Sequence, residues 1–146
     1  MGTRVNRIFR DWQFYLCLGL GPLTWLLMSF LYPVRDSTGV PDLPWYQLFL
    51  VLLILPVLEE IVFRGLLLEV LAKRFRQRFA QLTLANLLTS LVFVALHLIH
   101  SASGWALLVF FPSLVFGYLK ERHASLISPI LTHIFYNLGF YWLFWR

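Results

Sequence analysis

Residues 55–70, LPVLEEIVFRGLLLEV, place Glu59, Glu60 and Arg64 in a stretch otherwise almost wholly apolar. Each such group costs several kcal/mol to remove from water unless it is paired. Further along, FVALHLIH carries His97 and His100, and HIFYN carries His133 and Asn137 four residues apart, on one helical face. A carboxylate beside an imidazole can hold a water and take its proton. A second imidazole and a carboxamide can donate hydrogen bonds to a developing oxyanion. Together these are the parts of peptide-bond hydrolysis without a covalent intermediate. Ser, Thr and the single Cys17 stand at no recognisable nucleophile spacing, which sets acyl-enzyme chemistry aside. The same atoms support a rival: Glu59, His97 and His133 could ligate zinc and leave a fourth position for water. No HExxH motif stands in the sequence, so no cofactor is favoured and zinc stays as the alternative.

Each residue also has a bland explanation. Glu60 and Arg64, at i and i+4, can neutralise each other as a buried clamp, whereas Glu59 has no comparable local partner. A lone intramembrane His or Asn is commonly a helix–helix hydrogen bond. His100, near an outer turn, and His123, in an inner loop, read most simply that way. Polar groups on three separate helices are harder to dismiss, although their projected depths spread over about 15 Å at 1.5 Å per residue. Pro56 removes a backbone hydrogen bond and can open a kink or a wet pocket beside Glu59.

The elements that must carry these residues follow from composition. The 146-residue chain is 60% hydrophobic and only 13% charged, with a mean hydropathy of +0.74, against about 25% charged residues in soluble domains. A bilayer core needs roughly 20 apolar residues per helix. Five runs qualify as candidates: Trp12–Tyr32, Trp45–Ala72, Leu82–His100, Trp105–Leu119 with its Pro112, and Leu126–Trp145. None alternates as a transmembrane β-strand would. The expected fold is all-α, a polytopic transmembrane bundle of about five helices in a single membrane domain, 1–146. Arg4, Arg7 and Arg10 precede the first run, Lys73, Arg74, Arg76 and Arg78 follow the second, and Lys120 and Arg122 follow the fourth. The opposite segments hold only Arg35 and Arg146. With five spans the clusters share one side, which the positive-inside rule makes cytoplasmic, with the C-terminus outside.

The pI near 9.8 is then explained by loop charge and anionic headgroups, not by nucleic acid. A lone cysteine excludes an intramolecular disulfide. The N-terminal run is too long for a cleaved signal peptide, and Met1-Gly2 lacks the residue that myristoylation needs. PVRDSTGVPDLP (33–44) reads as a loop outside the bilayer and SASG (101–104) as a tight outer turn. KERHAS (120–125) closes the last inner turn, and AKRFRQRFAQ (72–81) is expected to run along the headgroups as an amphipathic helix.

At these residues the sequence resembles the CPBP family, which contains the CAAX-prenyl endopeptidases of the Ras-converting type and bacterial relatives annotated in bacteriocin processing or immunity. EEIVFRG matches its EExxxR motif, FVALH its FxxxH motif and HIFYN its HxxxN motif, in order, over roughly residues 52–141. The resemblance implies a glutamate-dependent intramembrane protease with Glu59 as general base and His97 helping to hold the attacking water. His133 and Asn137 would form the oxyanion site, Glu60 and Arg64 would support Glu59 and the substrate backbone, and Phe93 would pack. Many relatives have around eight helices, so a five-helix chain resembles the short bacterial members. Their expected substrates are membrane-inserted peptides or C-terminal sorting segments rather than prenylated proteins, and their expected location is the bacterial inner membrane. The alternatives are a non-catalytic membrane immunity or scaffold protein and a small proton-coupled transporter subunit.

Overall fold

The structure, a computed structural model, describes residues 4–34, 44–100 and 104–144. Most of the loop expected at 33–44, most of the SASG turn, Arg35 and both chain ends lie outside the described residues. A short helix α1 (Arg4–Phe9) leads into α2 (Trp12–Leu31), whose first turn is capped by the Asp11 carboxylate accepting from the Gln13 N–H at 3.1 Å. Among the described residues α2 alone is long and apolar enough, by length and composition, to cross a membrane.

The second apolar run folds as one continuous helix, α3 (residues 45–74), in which α-helical turns alternate with two π-helical stretches, Leu50–Ile54 and Ile61–Leu67. The first stretch is the local answer to Pro56. A proline ring clashes with the carbonyl four residues back and offers no N–H. The wider π turn, with the Leu55 N–H bonded to the Leu50 carbonyl, carries the helix past that position without a break. The second π stretch begins directly after Glu60 and contains Arg64, and such bulges concentrate at functional sites.

The amphipathic helix expected over 72–81 is not formed. Helix α3 ends at Arg74, and Arg78–Phe79 (β1) pairs antiparallel with Leu82–Thr83 (β2) around Ala80, whose φ is 53°. Like charges at Arg74 and Arg78 would sit one turn apart on a helix and oppose its continuation; the hairpin separates them. Then follow α4 (Leu84–His100), a 3₁₀ stretch (Gly104–Val109), α5 (Phe110–His123) and α6 (Ile127–Phe144). Pro112 falls in the first turn of α5, where its missing N–H has no intrahelical partner to lose.

The burial pattern is the reverse of a water-soluble bundle. Leu23, Leu26, Leu27, Phe30 and Leu31 of α2 are exposed, while Asn86, Thr89, Ser90, Ser113, Ser128 and Thr132 are fully buried. Small residues let the helices approach closely. A Cβ on Gly117 of α5 would lie 1.8 Å from Asn86 Oδ1 of α4, and one on Gly139 of α6 would lie 2.1 Å from the Trp25 ring of α2. The Asn86 amide is itself committed, donating to the Leu114 carbonyl at 2.9 Å. Gly117→Ala is therefore expected to cost about 1–3 kcal/mol of overpacking, read as a lower unfolding temperature in detergent.

The basic segments meet at one end of the bundle. Lys120 pairs with Glu69 at 2.7 Å, Thr83 donates to Glu121 at 2.6 Å, and the Arg122 guanidinium donates to Asp11. His123 is not in a loop as expected. It closes the last turn of α5, with Nε2 3.0 Å from Asp11 Oδ2 and Nδ1 2.9 Å from Ser128 Oγ. This cluster ties the start of α2 to the α5–α6 turn. The Arg122 hydrogen bond, outweighing partial burial, holds the Asp11 carboxyl at about 2, below its ordinary 3.8. A carboxylate with a lowered folded-state pKa stabilises the fold above its unfolded value and stops doing so as pH falls through the folded one. Wild type is expected to lose unfolding temperature between about pH 4 and pH 2, and Asp11→Asn to lose less over that window.

Candidate active site

Residues from five helices, α2 to α6, and from the 3₁₀ stretch meet around a cavity of about 580 Å³. Its walls are mostly apolar, with Trp25, Phe116, Tyr136 and Phe140 prominent. Its polar lining includes Glu59 from α3, His97 and His100 from α4, and His133 and Asn137 from α6. The four residues singled out as catalytic candidates thus border one space, despite their spread of projected depths.

At the cavity floor runs a line of charge. Glu59 is the exposed member, with 29% of its side chain accessible, and its Oε2 lies 3.4 Å from His133 Nε2. On the other side of the ring, His133 Nδ1 is 2.8 Å from Glu60 Oε1. Glu60 in turn accepts from Arg64 at 2.9 Å, and both members of that pair are fully buried. The expected Glu60–Arg64 pairing is present, and the partner Glu59 lacks on its own helix comes from α6 instead. A carboxylate only accepts hydrogen bonds. With Nδ1–H given to Glu60, Nε2 faces Glu59, and a proton must lie on one of those two atoms for the contact to be favourable.

Both terminal nitrogens of Arg64 are hydrogen-bonded, while its buried Nε, among the described residues, is not. It donates to the Ser113 carbonyl at 2.9 Å and to Ser113 Oγ at 2.6 Å, and Ser113 Oγ donates to Ser90 at 3.0 Å. The guanidinium carbon lies 4.9 Å from the Phe93 ring centroid and 5.3 Å from that of Phe116. Phe93 is buried and serves as an aromatic face for the buried cation. Phe116 stacks on the His133 ring at 4.6 Å and 20°. Sequence reasoning missed Ser113, Ser90 and Phe116. A serine in an apolar helix and one of 14 phenylalanines carry no signal by themselves.

His97 directs Nδ1 at the Phe93 carbonyl of its own helix, 3.0 Å away. The carbonyl requires Nδ1–H, which leaves Nε2 as an acceptor in the neutral ring. Asn137 donates one amide hydrogen to the Val51 carbonyl at 3.3 Å and retains a second. Among the described residues no three His, Cys, Asp or Glu side chains are spaced to hold one cation. Glu59, His97 and His133 border the cavity without closing on a point, so no step here is derived through a metal.

An apolar-surfaced helical bundle that gathers buried charge beneath a cavity defines the class: a membrane-type helical protein with the side chains of a hydrolase. The family model described as type II CAAX prenyl endopeptidase Rce1-like matches residues 41–139, and the chain belongs to that family of membrane-embedded proteases. This agrees with the three-motif resemblance to the CPBP family. No curated protein matches the chain, and no solved structure does.

Proposed function

We propose that this chain is an intramembrane endopeptidase that hydrolyses a peptide bond in or beside a membrane-inserted segment, using water activated by Glu59. One observation carries the reading: the Glu59–His133–Glu60–Arg64 line, with its single accessible carboxylate turned into a peptide-sized cavity.

The water is held between Glu59 and the free Nε2 of His97. Its oxygen attacks the peptide carbonyl carbon while Glu59 takes its proton. The oxyanion accepts the second amide hydrogen of Asn137. As Glu59 takes the water's proton, the proton it shares with His133 moves fully onto Nε2, where the imidazolium is stabilised by the Glu60 carboxylate, as an aspartate steadies the histidine of a catalytic triad, and the water's proton takes the shared place. The imidazolium then protonates the departing amine as the C–N bond breaks, yielding one new carboxyl and one new amino terminus. This assigns His133 to proton transfer rather than to the oxyanion site, because both its nitrogens already face carboxylates. Arg64, held by Ser113 and the two aromatic rings, holds Glu60 in place.

The chain crosses the bilayer about five times in this proposal, with its basic end cytoplasmic, in a bacterial inner membrane, and residues 52–141 supply the catalytic core. Its substrate is a membrane-inserted peptide or C-terminal sorting segment. The paired charges at the basic end and the apolar exterior support that disposition. The test is cleavage of membrane-inserted peptides by the purified chain in liposomes, with and without a strong chelator. Unchanged cleavage after chelation, with zinc well below one per chain, is the expected result. Loss on chelation with recovery on adding zinc would transfer water activation to a metal.

A further inference from the structure

We infer that the peptide to be cut reaches Glu59 from the side of the membrane opposite the basic end. The inference rests on the proteolytic reading for its meaning and on independent geometry for its content.

Helices α2 to α6 line the cavity from the halves that lie away from the basic end, with His133 of α6, at the floor, the exception. Helix α2 starts at that end with Trp12, and it contributes Thr24, Trp25 and Met28 from its other half. Helix α4 starts there with Leu84, and it contributes His97 and His100 from its last turns. Helix α5 ends there with His123, whereas the cavity takes Pro112 from its first turn and Val109 from the 3₁₀ stretch before it. Helix α6 starts there with Ile127, and Asn137, Phe140 and Tyr141 come from its far half. At 1.5 Å per residue, Thr24 and His97 are each about 18–20 Å along their helices from the basic end. Glu59 and His133 are the floor.

The other half holds a second cavity, of about 510 Å³, that runs from Trp12 and Leu82 to Thr24, but neither Glu59, His97 nor His133 lines it. Beneath the floor, Glu60, Arg64, Ser113, Ser90 and Asn86 are fully buried and tied to one another. Gly117 brings α5 so close to α4 there that not even a methyl group fits. A peptide, or the water it reacts with, has no room to approach Glu59 through this packed polar core. With the basic end cytoplasmic, the substrates are segments that expose an unfolded, largely apolar stretch on the non-cytoplasmic side, such as the outer end of a membrane-spanning helix.

The chain has one cysteine, Cys17, which is buried and can be replaced by alanine to give a thiol-free background. On that background His100→Cys and Val109→Cys place a thiol on the cavity wall, and Gln77→Cys places one on the exposed segment before the hairpin. Each is treated with a membrane-impermeant sulphonated maleimide, in sealed cells and in inverted membrane vesicles. The expected result is that both cavity thiols react in the preparation in which Gln77→Cys does not, and are protected in the other. Reaction from the same face as Gln77→Cys would overturn the inference. So would reaction with a membrane-permeant maleimide alone, since the cavity would then open to neither aqueous phase. Two wall positions keep the test intact if one variant fails to fold. The readout is access rather than hydrolysis: a protein inert towards peptides could still pass it, and an active one could fail it.

Discussion

Glu59→Gln is expected to lower peptide hydrolysis by about 10²- to 10⁴-fold, the contribution of a positioned general base, while leaving the folded protein intact. The substitution keeps the size of the side chain and replaces one carboxylate oxygen with an amide nitrogen. Glu59 is the accessible member of the charged line, and its ion-pair contact is the long 3.4 Å approach to His133, so little stability is at stake. The comparison needs both cleavage rate and unfolding temperature on the same preparation. A Gln variant that cleaves at the wild-type rate would mean that Glu59 does not take the proton of the attacking water. If the same groups serve only as interhelical hydrogen bonds, Glu59→Gln should preserve whatever function the protein has in the cell.

The second large effect concerns the other end of the line, and it acts on stability first. Arg64→Met keeps the length of the side chain but leaves Glu60 as an uncompensated charge at zero exposure. Breaking a buried pair in this way typically costs about 3–5 kcal/mol, a large fraction of the total stability of a small domain. Low folded yield in detergent is the expected outcome. Removing both charges, as Glu60→Gln with Arg64→Met, should recover much of the loss because no buried charge then remains. Activity should not recover with it, since His133 Nδ1 would face an amide instead of the carboxylate that stabilises its imidazolium. A double variant that regains both fold and activity would reduce the Glu60–Arg64 pair to a structural clamp.

The sequence carried much of this, and what it carried has a common physical reason. An ionisable group in an apolar run costs free energy unless it is used or paired, so Glu59, Glu60, Arg64, His97 and His133 stand out by type alone. The helical class followed from the length and composition of the apolar runs, and the observed bounds of α2, α4 and α6 lie within two residues of the expected ones. Three features were not legible. The π turns of α3 are a backbone response to Pro56 and to packing around Arg64, and no residue pattern announces them. The 78–83 hairpin is two residues per strand, too short for alternation to register. The clasp of Asp11 on Arg122 and His123 joins residues more than 100 positions apart, and its partners look like ordinary loop charges until the helix ends meet. Ser113 and Phe116 belong with these: they matter for what they touch, which is Arg64 and His133.

The claim on which the rest depends is that the buried charge beneath the cavity exists to split a peptide bond with water. Its most direct measurement is mass spectrometry of a library of membrane-inserted peptides incubated with the purified, folded chain in liposomes made up in H₂¹⁸O. The account predicts new termini within or beside the apolar segment, one ¹⁸O in each new carboxyl group, and neither product with Glu59→Gln. Intact peptides after incubation with folded wild-type protein, or equal cleavage by the Gln variant, would contradict it.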